Sequence, residues 1–221
     1  MGNKRLEIFI DTNTFKHLAE VEINRKPSYQ KIFEIFNVHT CSAVKKEFGY
    51  KAHTRDPRHL ILSKKLSGNS AKVLRTRKMK KLETLWLSRF YKKAIENGKD
   101  EGERNLVCIL IELIIERKIT RGILVTDDYT ARTSFLDAIY KSFMLGEIWN
   151  SADLLIHLYL ITSSVSYKSM EIALRDLIAI ESMSWKKYKR TGDREQDAKI
   201  KMIGDYVNRL KEIKILKENY A

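Results

Sequence analysis

Four groups of carboxylates stand where a parallel sheet would gather them. Asp11 ends the apolar run LEIFI, Glu47 follows the β-prone VHTCSAV, Asp100, Glu101 and Glu103 lead into LVCILIELII, and Asp127 and Asp128 close the run ILVT. Parallel strands point their C-termini one way, so acids at strand ends, or at helix starts beside them, converge even when far apart in the chain. Convergence is costly, because like charges within about 4 to 6 Å raise one another's pKa unless a cation lies between them. A hard, oxygen-seeking divalent ion, Mg²⁺ or Mn²⁺, is the natural neutraliser. Such a pocket suits metal-dependent phosphodiester hydrolysis, in which the ion activates water and stabilises the charge developing on the phosphate. Asp11 has a plainer reading as well: Asp, Thr and Asn are favoured N-caps, and a helix is predicted from about Thr14. The recurrence of acids at later strand ends sets the site reading above the cap.

The elements that must position these acids alternate along the chain. A strand ending at Asp11 is followed by a helix over Thr14 to Glu22, a turn from Asn24 to Ser28 around Pro27, and a second helix to about Phe36. Val38 to Val44 reads as a strand, which puts Glu47 in the first turn of the next helix. Leu82, Leu85, Trp86, Phe90 and Ala94 recur at helical spacing and predict a helix over Lys81 to Asn97. The nearly all-apolar stretch from Gly102 to Arg117 has the profile of a helix buried against a sheet. A strand over Ile123 to Val125, a helix from Thr130 to about Tyr140, a short strand near Glu147 to Trp149, and helices over Ser151 to Thr162 and Ser166 to Ser182 continue the pattern. Ile200, Ile203, Val207, Leu210 and Ile213 then predict a last helix. The alternation implies an α/β fold on a mainly parallel sheet. It divides the chain into a domain over residues 1–182, with a basic insertion at about 50–81, and a basic helical extension over 183–221.

Charge narrows the partners. The net charge is +14, and Lys45 to Lys93 alone carries 16 Lys or Arg against three acids. A surface that merely solvates mixes both signs, whereas a one-signed segment repels itself until a polyanion neutralises it. The segment reads as a basic arm or mobile helical hairpin that contacts nucleic acid through Lys45, Lys46, Arg75, Arg77, Lys78, Lys80 and Lys81. Arg132 joins them just past the Asp127–Asp128 pair. Trp185 to Lys217, with 11 basic residues against five acids, is a second basic zone. The longest apolar run, Leu106 to Ile115, contains Glu112 and falls short of the ~20 residues of a membrane span. The first apolar segment is only a strand's length, so no signal peptide is expected. Cys41 and Cys108 lack paired spacing and read as buried thiols of a reducing cytosol. Gly-rich phosphate loops, a nucleophile elbow and zinc signatures are absent from the sequence. Asn13 occupies the second position of an Asp-x-Asp pair, which argues against an aspartyl-phosphate mechanism.

Together IDTN, SAVKKEF, DEGER opening an apolar helix, and LVTDD resemble, in order, the motifs of the PIN-domain family of metal-dependent ribonucleases. The resemblance spans about residues 6 to 180. It implies a three-layer α/β/α sandwich with a central, mainly parallel sheet, and a Mg²⁺ or Mn²⁺ site that cuts RNA in preference to DNA. It assigns Asp11, Glu47, Glu103 and Asp128 as catalytic, and Asp11, Glu103, Asp127 and Asp128 as metal-binding, with Asn13 and Thr126 supporting the site. Asp128 follows from the Thr-x-Asp spacing after Thr126. The third acid departs from the commoner pattern: the position that opens the buried helix is Asn105, so the Gly102–Glu103 pair supplies Glu103, with Asp100 in reserve. The resemblance also implies a possible homodimer and leaves open an RNA-processing enzyme, a toxin with a small antitoxin partner, or a non-catalytic nucleic-acid-binding module with a degenerate site.

Overall fold

The computed structural model describes residues 5–52, 56–67, 72–74, 101–128, 135–188 and 194–220. Its strands are β1 (Glu7–Ile10), β2 (Glu22–Ile23), β3 (Lys26–Pro27), β4 (Asn37–Cys41), β5 (Lys72–Leu74), β6 (Gly122–Val125) and β7 (Gly146–Trp149). Its helices are α1 (Thr12–Glu20), α2 (Ser28–Ile35), α3 (Ser42–Ala52), α4 (Pro57–Ser67), α5 (Glu101–Ile115), α6 (Phe135–Phe143), α7 (Ser151–Ile161), α8 (Tyr167–Tyr188) and α9 (Arg194–Tyr220). The chain forms two compact units, Met1–Lys16 with Phe33–Asn150 and His17–Ile32 with Ser151–Ala221. This division does not follow the 182/183 boundary drawn from sequence, because the helices from Ser151 onward pack on one another while the sheet ends at β7.

The first unit is an α/β body on a parallel sheet of order β5-β4-β1-β6-β7. In the central strand β1, Ile8, Phe9 and Ile10 are all fully buried. Continuous rather than alternating burial is what a parallel strand covered on both faces requires. β4 and β6 pair with β1 through Ile8↔Val38 and Ile8↔Ile123, so the ends of three neighbouring strands lie side by side. At the opposite edge Glu7 accepts a short hydrogen bond from His39 and another from the Asn37 amide, and His39 stacks on Phe9.

Helix α5 lies antiparallel to the strands. Near its start the Gly102 carbonyl accepts the Cys41 thiol at 3.7 Å, and a Cβ on Gly102 would lie 3.1 Å from Val44. Two turns later Leu110 abuts Gly122, where an added Cβ would meet it at 2.6 Å. The helix therefore runs from the end of β4 to the start of β6 and packs on β1 between them. Gly122 is in register with Gly146, whose φ of +139° is open to glycine and strained for other residues. A Cβ at Gly146 would stand 2.1 Å from the Gly122 carbonyl oxygen.

Part of the segment read as a basic insertion belongs to this body. Leu62 and Leu66 of α4 are buried, and β5 extends the sheet beside β4. The helix predicted over Lys81 to Asn97 lies outside the described residues, as do Asp100, Arg75, Arg77, Lys78, Lys80, Lys81 and Arg132.

In the second unit β2 and β3 form a two-residue hairpin whose Asn24 and Arg25 both adopt positive φ, the type I′ geometry that matches strand twist. Ser169 Oγ accepts from the Asn24 N–H, and the Ser164 carbonyl accepts from its amide. Helix α9 packs on α8 and buries Ile203 and Leu210. Tyr206 donates to Asp153, and Lys217 donates to the Thr162 carbonyl while lying 4.0 Å from the Tyr159 ring. Among the described residues, no helix is long and apolar enough to cross a membrane.

Candidate active site

Asp11 is placed by the end of β1 and serves two neighbours at once. The helix begins at Thr12 rather than Thr14, so Asp11 is its N-cap: Oδ1 accepts the Thr14 N–H at 2.7 Å. Oδ2 accepts the Thr126 hydroxyl, also at 2.7 Å. Its backbone N–H donates to Val125, and the Thr14 hydroxyl reaches the same carbonyl, so the ends of β1 and β6 are tied by main chain and side chain together. The cap that the sequence reading ranked second is therefore present, and it orients the carboxylate at the strand end.

The neighbouring acids arrive on three separate elements. Asp127 is buried just past β6, and its charge acts on Asp11. Burial first, and Asp127 second, push the Asp11 carboxyl up from the ordinary 3.8 to about 6, against the opposing hydrogen bonds from Thr14 and Thr126. Asp128 is half-buried, and its backbone N–H donates to Thr126 Oγ1 at 3.1 Å, so the Thr-x-Asp spacing is realised as a local turn. Glu47 stands in the second turn of α3, not the first, because the helix starts at Ser42. It is exposed, and its Oε2 accepts the Thr12 hydroxyl at 2.8 Å, which ties it to the residue after Asp11. Glu103 is half-buried in the first turn of α5, and with Glu101 it acts on the Cys41 thiol at the end of β4. Burial, more than those charges, pushes that thiol up to about 11, and both Cys41 and Cys108 are buried and outside any disulfide.

Strands β4, β1 and β6 thus bring Glu47, Asp11, Asp127 and Asp128 to one edge, and α5 adds Glu103. They are gathered loosely: among the described residues, no three of these five acids bring carboxylate oxygens within 4.8 Å of one another. Asn13, expected to support the site, accepts from Lys16 one turn along its own helix. The sequence reading missed the roles of Thr12 and Thr14, whose hydroxyls stand one and three residues past the acid and reach Glu47 and the Val125 carbonyl. Asn105 is buried, and among the described residues its Oδ1 has no hydrogen-bond partner.

The donors all suit a hard divalent cation. They are carboxylate and amide oxygens, with no sulfur or imidazole among the five acids and Asn105. The Asp11 carboxyl is raised first by burial and second by Asp127, and a cation beside it would oppose both. No protein-family model, no curated protein and no solved structure matches this chain.

Proposed function

We propose that this protein is a metal-dependent endoribonuclease with a PIN-like domain, its helices and parallel sheet forming a three-layer α/β/α sandwich. The observation that carries the reading is Asp11, buried at the end of the central strand, pressed by Asp127 and hydrogen-bonded by Thr126, with Glu47 tethered through Thr12. Asp11, Glu103, Asp127 and Asp128 would hold Mg²⁺ or Mn²⁺. When bound, the ion supplies an activated water and neutralises charge on the scissile phosphate. Thr14 and Thr126 hold the two oxygens of Asp11 in fixed directions, and Thr12 steadies Glu47 as the carboxylate that takes the proton from the attacking water.

Lys45 and Lys46 immediately precede Glu47 on α3, Lys46 exposed and Lys45 half-buried, and they would meet the RNA backbone beside the acids. Arg75, Arg77, Lys78, Lys80, Lys81 and Arg132 extend that surface in the proposal. Buried free thiols suit a reducing compartment, and a homodimer or an antitoxin partner remains part of the same family reading.

Two observations favour a second reading, a nucleic-acid-binding module without catalysis: the position just before the helix's apolar run holds Asn105, and the acids are loosely gathered. Incubating the full chain with structured and single-stranded RNA, with Mn²⁺ or Mg²⁺ and then with chelator, separates the two. The enzyme reading expects metal-dependent cleavage that chelation stops. The module reading expects salt-sensitive binding and intact RNA under every condition.

A further inference from the structure

The edge at which the strands begin gathers apolar and basic side chains. Leu6 stands just before β1, Arg121 just before β6, and Met144 two residues before β7. Ile8 is in register with Ile123 and Gly122 with Gly146, so these three residues lie across neighbouring strands, spanning about 10 Å. Ile115 ends α5, which runs antiparallel to the strands and sets Leu110 against Gly122, and Arg117 follows it. Leu6 is 41%, Ile115 61% and Met144 82% exposed, and Arg5, Arg117 and Arg121 are exposed on the same segments.

Charge on this edge is answered on one side only. Its acids are engaged: Glu7 with His39 and Asn37, Glu116 with Lys118 at 2.7 Å, and Glu147 with the Trp149 indole N–H at 2.6 Å. Among the described residues, the side chains of Arg5, Arg117 and Arg121 have no hydrogen-bond or ion-pair partner. Two side chains are also held at a cost. Arg117 and Met144 have φ of 55° and 50°, the left-handed positions after α5 and α6 that glycine fills without strain. What these side chains contribute is therefore something other than stability. Arginine and methionine beside exposed aliphatic side chains make up the centre of protein–protein contacts, whereas a phosphate backbone calls for charge without the apolar area. A second copy of this chain, docked symmetrically, would set arginines against arginines.

We propose that this edge docks an acidic, amphipathic segment of a partner protein, its carboxylates taken by Arg5, Arg117 and Arg121 and its apolar side chains seated on Leu6, Ile115 and Met144. The edge lies at the other end of β1 from Asp11, so the proposal stands or falls independently of the metal-site reading.

A displayed library of random peptides, selected on the full-length protein, tests this. Selection is expected to enrich sequences that carry several Asp or Glu around Leu, Ile or Phe. A labelled peptide so selected is expected to bind at least about tenfold more weakly when Arg117→Glu and Arg121→Glu are combined. Lys201→Glu with Lys211→Glu makes the same change of charge on exposed positions of α9 and is expected to leave the affinity within about twofold. Met144→Gly relieves the left-handed strain, so it is expected to weaken the peptide about fivefold while the melting temperature holds or rises, a split that a misfolded variant does not give. Peptides that bind every variant alike, or a selection that yields no acidic amphipathic sequence, overturn the proposal. Binding of RNA or of phosphatidylserine vesicles that is lost in the arginine pair, with no acidic peptide selected on wild type, gives the edge to a nucleic acid or a membrane and overturns it equally. Should the arginine pair not fold, Met144→Gly decides alone.

Discussion

At Asp11 a single carboxylate caps a helix, ties two strands together and carries the charge on which the proposed chemistry depends. The folded pKa lies near 6, above the ordinary 3.8, so between those values the folded chain holds a proton that the unfolded chain has released. Asp11's own contribution to the stability of the metal-free protein is therefore fully present below about pH 4 and is lost as pH rises through about 6, by roughly 3 kcal/mol at most. Denaturant unfolding at pH 4 and pH 7 measures this, and saturating Mn²⁺ should flatten the fall, since the cation favours the ionised form. Thr126→Val removes the hydroxyl that donates to Oδ2 and is expected to push the Asp11 pKa higher still and to cost about 1 to 3 kcal/mol at neutral pH, measured in the same way. The apolar run stopping at an acid made Asp11 legible in the sequence. The hydroxyls of Thr12 and Thr126 were not legible as partners of particular oxygens, because those pairs are 35 and 115 residues apart in the chain and depend on strand register.

The elements show where local signals sufficed and where they did not. The strands ending at Asp11 and Val125 and helix α5 were read from apolar runs, and the strand read over Val38 to Val44 ends at Cys41, its last three residues opening α3. Strand β5 was hidden: Lys72–Leu74 is three residues long inside a basic stretch, and it is a strand only because β4 offers an edge to pair with. The starts of α1 and α3 fall a few residues before the reading, since Asp11 and Cys41 each accept an N–H of the first turn, whereas α7 starts at Ser151 as read. The junction of β6 and β7 depends on two glycines in register. Gly146→Ala is expected to destabilise strongly, by about 2 kcal/mol or more, because its Cβ would stand 2.1 Å from a backbone oxygen that has no room to retreat. Met144 ends α6 in the left-handed conformation, with Leu145 N–H bonded back to Tyr140 and a side chain 82% exposed. Met144→Gly should raise stability by roughly 0.5 to 1 kcal/mol, seen as a higher melting temperature.

Across the whole molecule, a net charge of +14 coexists with an edge of the sheet where acids are collected. The opposition is the molecular argument for the proposed polyanionic substrate, in which basic side chains would hold the backbone while the acids, with a cation, would act on one phosphate. Affinity for single-stranded RNA should then fall steeply with salt, and the Lys45→Ala, Lys46→Ala pair should shallow the slope of log affinity against log salt by roughly 1 to 1.5. The α/β class with a parallel sheet was legible at this scale because alternating strands and helices admit few solutions. The division after Asn150 was not, because nothing in the local pattern distinguishes a helix that covers a sheet from one that packs on other helices. The central claim, that Asp11 serves metal-dependent RNA hydrolysis, is tested most directly by comparing wild type with Asp11→Asn in parallel cleavage and binding assays with Mn²⁺. Asn caps a helix as well as Asp does, so the fold is kept while the charge is removed. The predicted result is a loss of cleavage of at least about 100-fold with RNA affinity unchanged; cleavage that persists in the variant, or in wild type stripped of metal, would contradict the account.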